Sequence, residues 1–350
     1  MSLAHAYSAS SPDSPLAPSV IERREVGPRD VEIEILYCGV CHSDLHVGRG
    51  EWPGVRYPIV VGHEIVGRIA RIGRQVDDLA PGGLAAVGCL VDSCRSCSAC
   101  LQGEEPYCER GKTLTYGGIE KETGLPTAGG YSSRIVVDRH FVFPLAADCD
   151  LAGTAPLLCG GSVSYSVLRH WNVRQGSRVG VVGLGGVGHI AVKLARAMGA
   201  AVTVFTTSPG KREAARALGA GEVVVLEDGR SNGATALDLV IDTVPVPHAI
   251  EPFLAALRRN GTMVLIGAPA EPHPSPGAAT FIDGRRSLAG SSVGGIAETR
   301  EMLDFCSRHG IVAEIELIGV DGIDDAWGRM KARDVRFRFV IDLATLRDRE

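Results

Sequence analysis

The feature that most restricts the fold is a short apolar run that empties into glycine. Residues 178–182, Arg-Val-Gly-Val-Val, lead directly into Gly183-Leu184-Gly185-Gly186-Val187-Gly188. Ile190, Leu194, Ala197 and Met198 then recur at helical spacing until Gly199. A continuous apolar run reads as a strand buried on both faces, and a glycine after the last periodic residue reads as a helix stop. A glycine string alone is weak evidence and is compatible with an ordinary βαβ turn. Between a strand and a helix it gains meaning, because the glycines permit the turn, a close backbone approach to a diphosphate and tight helix–strand packing. The free N–H groups and dipole at the helix start favour an anion there.

The same rhythm continues downstream. Apolar runs at 202–205, 223–226, 237–242 and 263–267 alternate with helical patterns at about 209–218 and 250–257. Strands alternating with helices predict right-handed crossovers and a parallel, doubly wound sheet. After Gly294-Gly295, a helix at about 297–308 and a strand at 335–341 return the chain to its first domain. That first domain reads differently. Segments 31–37 and 65–72 alternate apolar and polar residues with the period of a half-buried strand, 131–137 is a third candidate, and turn-rich stretches such as 48–54 separate them. This predicts a barrel-like β domain. The chain has 350 residues, which fits two domains of roughly 100–200 residues each.

Cysteine is the unusual component, at 10 residues. The chain is too large and too unlike a secreted module for a disulfide framework. Cys94-x2-Cys97-x2-Cys100-x7-Cys108 instead has the spacing of a closed, tetrahedral, structural zinc site. Elsewhere the composition excludes. A net charge of −5 without long charge runs gives no nucleic-acid surface and no basic membrane anchor. No apolar stretch approaches the ~20 residues that span a bilayer. Residues 1–5 lack the basic and apolar regions of a signal peptide, so the expected location is the cytoplasm. Residues 1–20, rich in Ser, Pro and Ala, carry no functional reading.

An NAD site usually presents an Asp or Glu to the ribose 2′-hydroxyl about 20 residues past the glycines. Here the second strand ends in Thr206-Thr207-Ser208, followed by Pro209-Gly210-Lys211-Arg212. Three hydroxyls and two cations with no acid suit a 2′-phosphate, which favours NADP. A plainer reading leaves one of the two cations on a solvated helix turn.

A last constellation is dispersed: Cys41 and its neighbours to His46, Gly62-His63-Glu64, and Cys159. Cys41, His63 and Cys159 have the composition of a catalytic zinc site with one open position, although a lone Cys or His is more often a packed core residue.

Taken together, Gly39-Val40-Cys41-His42-Ser43-Asp44, Gly62-His63-Glu64, the four-cysteine loop, Pro156-Leu157-Leu158-Cys159 and the 183–188 glycines resemble the zinc-dependent medium-chain alcohol dehydrogenases. The likeness runs from about residue 20 to 342. Within that family it is most similar to the cinnamyl-alcohol-dehydrogenase group and its bacterial, broad-specificity, NADPH-dependent aldehyde reductases. One departure is Gly82-Gly83, where the family commonly has Gly-Asp before a strand.

The resemblance implies a GroES-like β-barrel domain at 1–155, a Rossmann domain at 156–293, and a return to the first domain at 294–350, with the active site in the cleft between them. It makes Cys41, His63 and Cys159 ligands of a catalytic zinc, with Glu64 as a neighbouring carboxylate able to reach the metal. Asp44 becomes the group that orients the histidine, Ser43 and His46 a proton relay, and Trp52 a wall of the substrate pocket. His42, Cys38, Cys89, Cys149 and Cys306 are expected only to pack. The implied reaction is reversible hydride transfer between NADP(H) and an aldehyde or primary alcohol, assisted by the Lewis acidity of zinc. Two zincs per chain follow. The implied partner is that small molecule, with no nucleic acid and no membrane, and a homodimer is left open.

Overall fold

The computed structural model describes residues 2–226, 236–332 and 334–347. They divide into two compact units: residues 1–159, 294–303 and 312–350 form one, and residues 160–293 with 304–311 form the other.

The first unit is built on a seven-stranded sheet. Its spatial order is Ile315–Ile318, Arg338–Asp342, Asp30–Gly39, Ile65–Ile72, Leu84–Val87 and Phe143–Leu145, with Arg134–Asp138 also paired to Asp30–Gly39. Every pairing is antiparallel except that of Ile315–Ile318 with Arg338–Asp342. Along the central strand, Val31, Ile33, Ile35 and Cys38 are fully buried. They meet Ile65, Ile69, Phe141 and Phe339 in one apolar core. Burying several such side chains, at ~1.5–3 kcal/mol each, fixes the register on which the polar site is mounted.

The N-terminal segment differs from its featureless reading. Ser2–Ser8 and Ala17–Arg23 form an antiparallel pair. Arg23 is buried and donates to the carbonyls of Ala128 (2.6 Å) and Gly129 (2.9 Å) and to Ser132 Oγ (2.7 Å). Small residues hid this strand, because Ala4, Ala6 and Ala9 bury completely while giving almost no periodic signal.

The second unit holds six parallel strands. In space they run Glu222–Val225, Ala201–Thr206, Arg178–Val182, Leu237–Asp242, Leu257–Leu265 and Ser287–Gly290. Numbered along the chain within this sheet, the order is 3-2-1-4-5-6, the doubly wound arrangement in which ligands bind beyond the strand ends where the order reverses. That point lies between Arg178–Val182 and Leu237–Asp242. The fifth strand starts six residues earlier than its apolar core predicts. Arg258, Arg259 and Asn260 are exposed, so periodicity does not mark them. Ser287–Gly290 lies at the sheet edge and is mostly exposed for the same reason. Pro209 likewise splits the expected 209–218 helix into a tight turn and a short helix, Arg212–Ala217. Among the described residues, no single helix is long and apolar enough to cross a membrane.

Candidate active site

The seven-stranded sheet delivers three chain segments to one place. Asp30–Gly39 ends at Cys41, which precedes the helix His42–Gly48. The loop before Ile65–Ile72 supplies His63 and Glu64, and the tight turn Ala155–Leu158 ends at Cys159. One ligand atom from each of Cys41, His63, Glu64 and Cys159 lies within 4.8 Å of every other. The sulfurs of Cys41 and Cys159 are 3.8 Å apart, the separation of two thiolates bonded tetrahedrally to zinc at ~2.3 Å, about 3.8 Å.

Two buried atoms in this cluster have no hydrogen-bond partner: His63 Nε2 and Glu64 Oε2. Orphaned buried polar atoms are costly, and a cation held between them removes that cost. The thiols are already polarised. Hydrogen bonding from Cys159, helped by the Arg338 charge, holds the Cys41 thiol well below its ordinary range, and Cys159 is pushed up correspondingly. Burial pushes the Glu64 carboxyl up against the pull of Arg338. Burial also opposes a charged His63, yet the thiols of Cys89 and Cys41 raise its basicity.

Asp44 organises the cluster through the backbone. It is fully buried, accepts the N–H of Cys41 (2.8 Å) and of Gly62 (3.1 Å), and receives the Tyr131 hydroxyl (3.2 Å). Its carboxylate stands 4.0 Å from His63 Nδ1, beyond hydrogen-bond reach. Asp44 acts on the imidazole as a nearby charge and also holds the loop that carries it. The His63 ring also stacks on Tyr116 with centroids 5.4 Å apart.

Ser43 Oγ lies 3.7 Å from the Cys41 sulfur. His46, on the same helix, is buried rather than superficial. Its Nδ1 sits 2.5 Å from Glu51 Oε2, its ring stacks on Trp52 at 5.1 Å, and its Nε2 has no partner. The sequence thus placed Ser43, His46 and Trp52 near one another but gave no sign of Glu51, which fixes the histidine tautomer across a turn five residues long.

Two further residues were missed. Arg338 pairs with Glu64 across 274 residues, and nothing local marks such a partner. Cys89, expected only to pack, lies beside Cys159 and His63 and perturbs the protonation of both. It is not one of the four mutually close ligands, so it adds a third thiol to the rim of the cluster.

The four-cysteine loop closes as its spacing predicts. Its sulfurs all lie within 4.8 Å of one another, with 3.9 Å between Cys94 and Cys100 and 4.0 Å between Cys97 and Cys108. The backbone N–H of Cys97 donates to the Cys94 sulfur at 3.3 Å, and Arg95 adopts φ 54° to make the turn. All ten cysteines are free of disulfides.

In the other unit, Gly183 takes φ +86°, and a side chain on Gly188 would place a carbon 2.1 Å from the Gly183 carbonyl oxygen. Gly185 has open space above it, room for a ligand to approach the backbone. Thr206 is buried at the strand end and its hydroxyl accepts the Ser208 N–H at 3.1 Å, whereas Thr207 and Ser208 are exposed. Lys211 folds back so that its ammonium donates to the Leu184 carbonyl at 3.0 Å. Burial lowers its pKa. Lys211 is therefore a fixed cation at the glycine loop, while Arg212 turns away to the Val223 carbonyl.

A candidate metal-ligand set on a β domain and a glycine loop on a doubly wound sheet are the two parts a metal-dependent dehydrogenase requires. The family described as "Alcohol dehydrogenase GroES-like domain" matches residues 27–147, and that described as "Zinc-binding dehydrogenase" matches residues 186–308. The chain belongs to the zinc-binding alcohol dehydrogenases. It is 53% identical to aldehyde reductase YahK of Escherichia coli over 346 residues, 98% of this chain and 99% of that one. Among solved structures, a cinnamyl alcohol dehydrogenase of Sorghum bicolor is similar at TM-score 0.94 and 42% identity, covering 98% of both chains. The cinnamyl alcohol dehydrogenase of Helicobacter pylori complexed with NADP(H) is similar at TM-score 0.93 and 38% identity, again over 98% of both.

Proposed function

We propose that this protein interconverts aldehydes and primary alcohols with NADP(H) and zinc, and works chiefly as a broad-specificity aldehyde reductase. The observation that carries the reading is the convergence of Cys41, His63, Glu64 and Cys159, with His63 Nε2 and Glu64 Oε2 buried and without hydrogen-bond partners. The relatives named aldehyde reductase and complexed with NADP(H) support it. Cys41, His63 and Cys159 hold the catalytic zinc, with Glu64 beside it, and Cys94, Cys97, Cys100 and Cys108 hold a structural one. When bound, zinc supplies Lewis acidity toward a carbonyl oxygen and NADPH supplies the hydride.

The chain's own residues do the rest. Gly183, Leu184, Gly185, Gly186, Val187 and Gly188 seat the diphosphate, and Thr207, Ser208 and Lys211 meet the 2′-phosphate, with Thr206 shaping that turn. Asp44 keeps Cys41 and the His63 loop in register. Ser43 passes a proton to the substrate oxygen, and His46, steadied by Glu51, is the next group of the relay. Trp52 borders the substrate. Reduced thiols at both metal sites fit a cytoplasmic enzyme.

A panel of aliphatic and aromatic aldehydes tests the reading. Wild type consumes NADPH with members of the panel, and Cys159→Ala loses one zinc and the activity together. Activity retained without that zinc would overturn it.

A further inference from the structure

A third ligand cluster lies in the doubly wound unit. Asp242 ends the fourth strand of that sheet, His248 follows in the loop beyond it, and His273 comes from the loop after the fifth strand. One donor atom from each lies within 4.8 Å of the others. We propose that Asp242, His248 and His273 form a further binding site for a divalent transition-metal cation of the zinc type.

The case rests on where the other atom of each side chain is committed. Asp242 Oδ1 accepts the Val244 N–H at 3.1 Å. His248 Nδ1 lies 2.9 Å from the Val246 carbonyl, to which it can only donate. His273 Nδ1 faces the backbone of His248, 3.3 Å from its N–H and 3.2 Å from its carbonyl. Each ligand is thus oriented by the backbone through one atom, the arrangement that presets metal ligands. The remaining atoms, Asp242 Oδ2, His248 Nε2 and His273 Nε2, are all buried and without a hydrogen-bond partner.

The distance between two of them is informative. His248 Nε2 and Asp242 Oδ2 are 3.1 Å apart, the spacing of an ion pair when His248 is protonated. A divalent cation can take the place of that proton and bond both atoms, since ligands at ~2.0–2.1 Å in a tetrahedral site stand about 3.3 Å apart. Asp242 is fully buried, while His248 and His273 are half-buried, so solvent or a ligand can complete the coordination. Two imidazoles and one carboxylate suit a first-row divalent ion better than calcium or magnesium.

The test uses the full chain, zinc-loaded and desalted. Wild type and His273→Ala are dialysed against Zn²⁺ alone, metal per chain is measured, and both are melted with and without the ion. The proposal expects His273→Ala to hold one equivalent less than wild type, and added zinc to raise the melting midpoint of wild type alone. The difference between the two proteins isolates this cluster whatever the cysteine sites contain. Equal metal content in the two proteins, or a wild-type midpoint indifferent to zinc, would overturn it and leave Asp242 and His248 as a plain ion pair.

Discussion

The guanidinium of Arg338 closes on one carboxylate oxygen of Glu64, both fully enclosed, and leaves the other oxygen without a partner. Two strands far apart in sequence thereby fix the carboxylate beside the metal ligands. Removing one member of a buried pair strands a charge and costs about 3–5 kcal/mol. Arg338→Met should therefore lower the urea midpoint strongly, and adding Glu64→Gln should restore part of it. A double variant no more stable than the single one would show that the charge is not the cause.

Metal lability should separate the two cysteine sites. With zinc bound as proposed, the four-cysteine site would have no open position, whereas the site at Cys41, His63 and Cys159 would leave one for exchange. Brief chelation should abolish turnover before it lowers the melting midpoint. Metal analysis during the time course checks this, with loss from the open site preceding loss from the closed one.

The relay predicts a graded series. Ser43→Ala removes the hydroxyl nearest the zinc ligands, and turnover should fall by about 10²–10⁴-fold with zinc content unchanged. His46→Gln should cost less, since it stands one step further than Ser43 from the substrate oxygen. Glu51→Gln should cost least and move the pH profile, because it leaves both relay groups in place and alters what steadies the imidazole, along with an exposed pairing to Lys331. Steady-state kinetics and metal content on the three variants check the order.

Glu105 gives a pH dependence with a definite sign. Burial alone would raise its carboxyl, but His140 and the Ile296 N–H, bonded at 3.2 and 3.0 Å, hold it below the usual carboxylate range. A carboxylate whose folded pKa is depressed stabilises above its unfolded value and loses that contribution as pH falls through the folded one. Glu105→Gln should therefore cost about 1.5–3 kcal/mol near neutrality, the worth of a hydrogen bond to a charged group. The gap between variant and wild type should narrow as pH drops below about 4. Melting curves across that range check it.

How far the sequence revealed this molecule depends on locality. Gly183 to Gly188 and Cys94 to Cys108 declare themselves because a turn or a metal needs those residues at short, fixed spacing. Cys41, His63 and Cys159 were weak candidates by residue type and gained weight only through family likeness, since their nearness depends on the strand register of a whole sheet. Arg338 and Glu51 left no sign at all, being common charged residues whose meaning comes from what the fold puts opposite them. The pairing strands 2–8 and 17–23 escaped because the first buries small residues such as Ala4 and Ala6 and the second is mostly exposed, so neither shows an apolar period.

Cofactor choice is the most direct test of the account. A 2′-phosphate carries roughly −1.5 to −2 charge at neutral pH, and the exposed Thr207 and Ser208, with Lys211 pinned to the Leu184 carbonyl, supply donors and no acid. A hydrogen bond to a charged group contributes about 1.5–3 kcal/mol, so losing Lys211 should weaken NADPH by about ten- to a hundredfold and leave NADH nearly unaffected. The measurement is kcat/KM for aldehyde reduction with NADPH and with NADH, on wild type and Lys211→Ala. The account predicts a clear NADPH preference in wild type that collapses in the variant. A wild type that prefers NADH, or a ratio unchanged by the substitution, would contradict it.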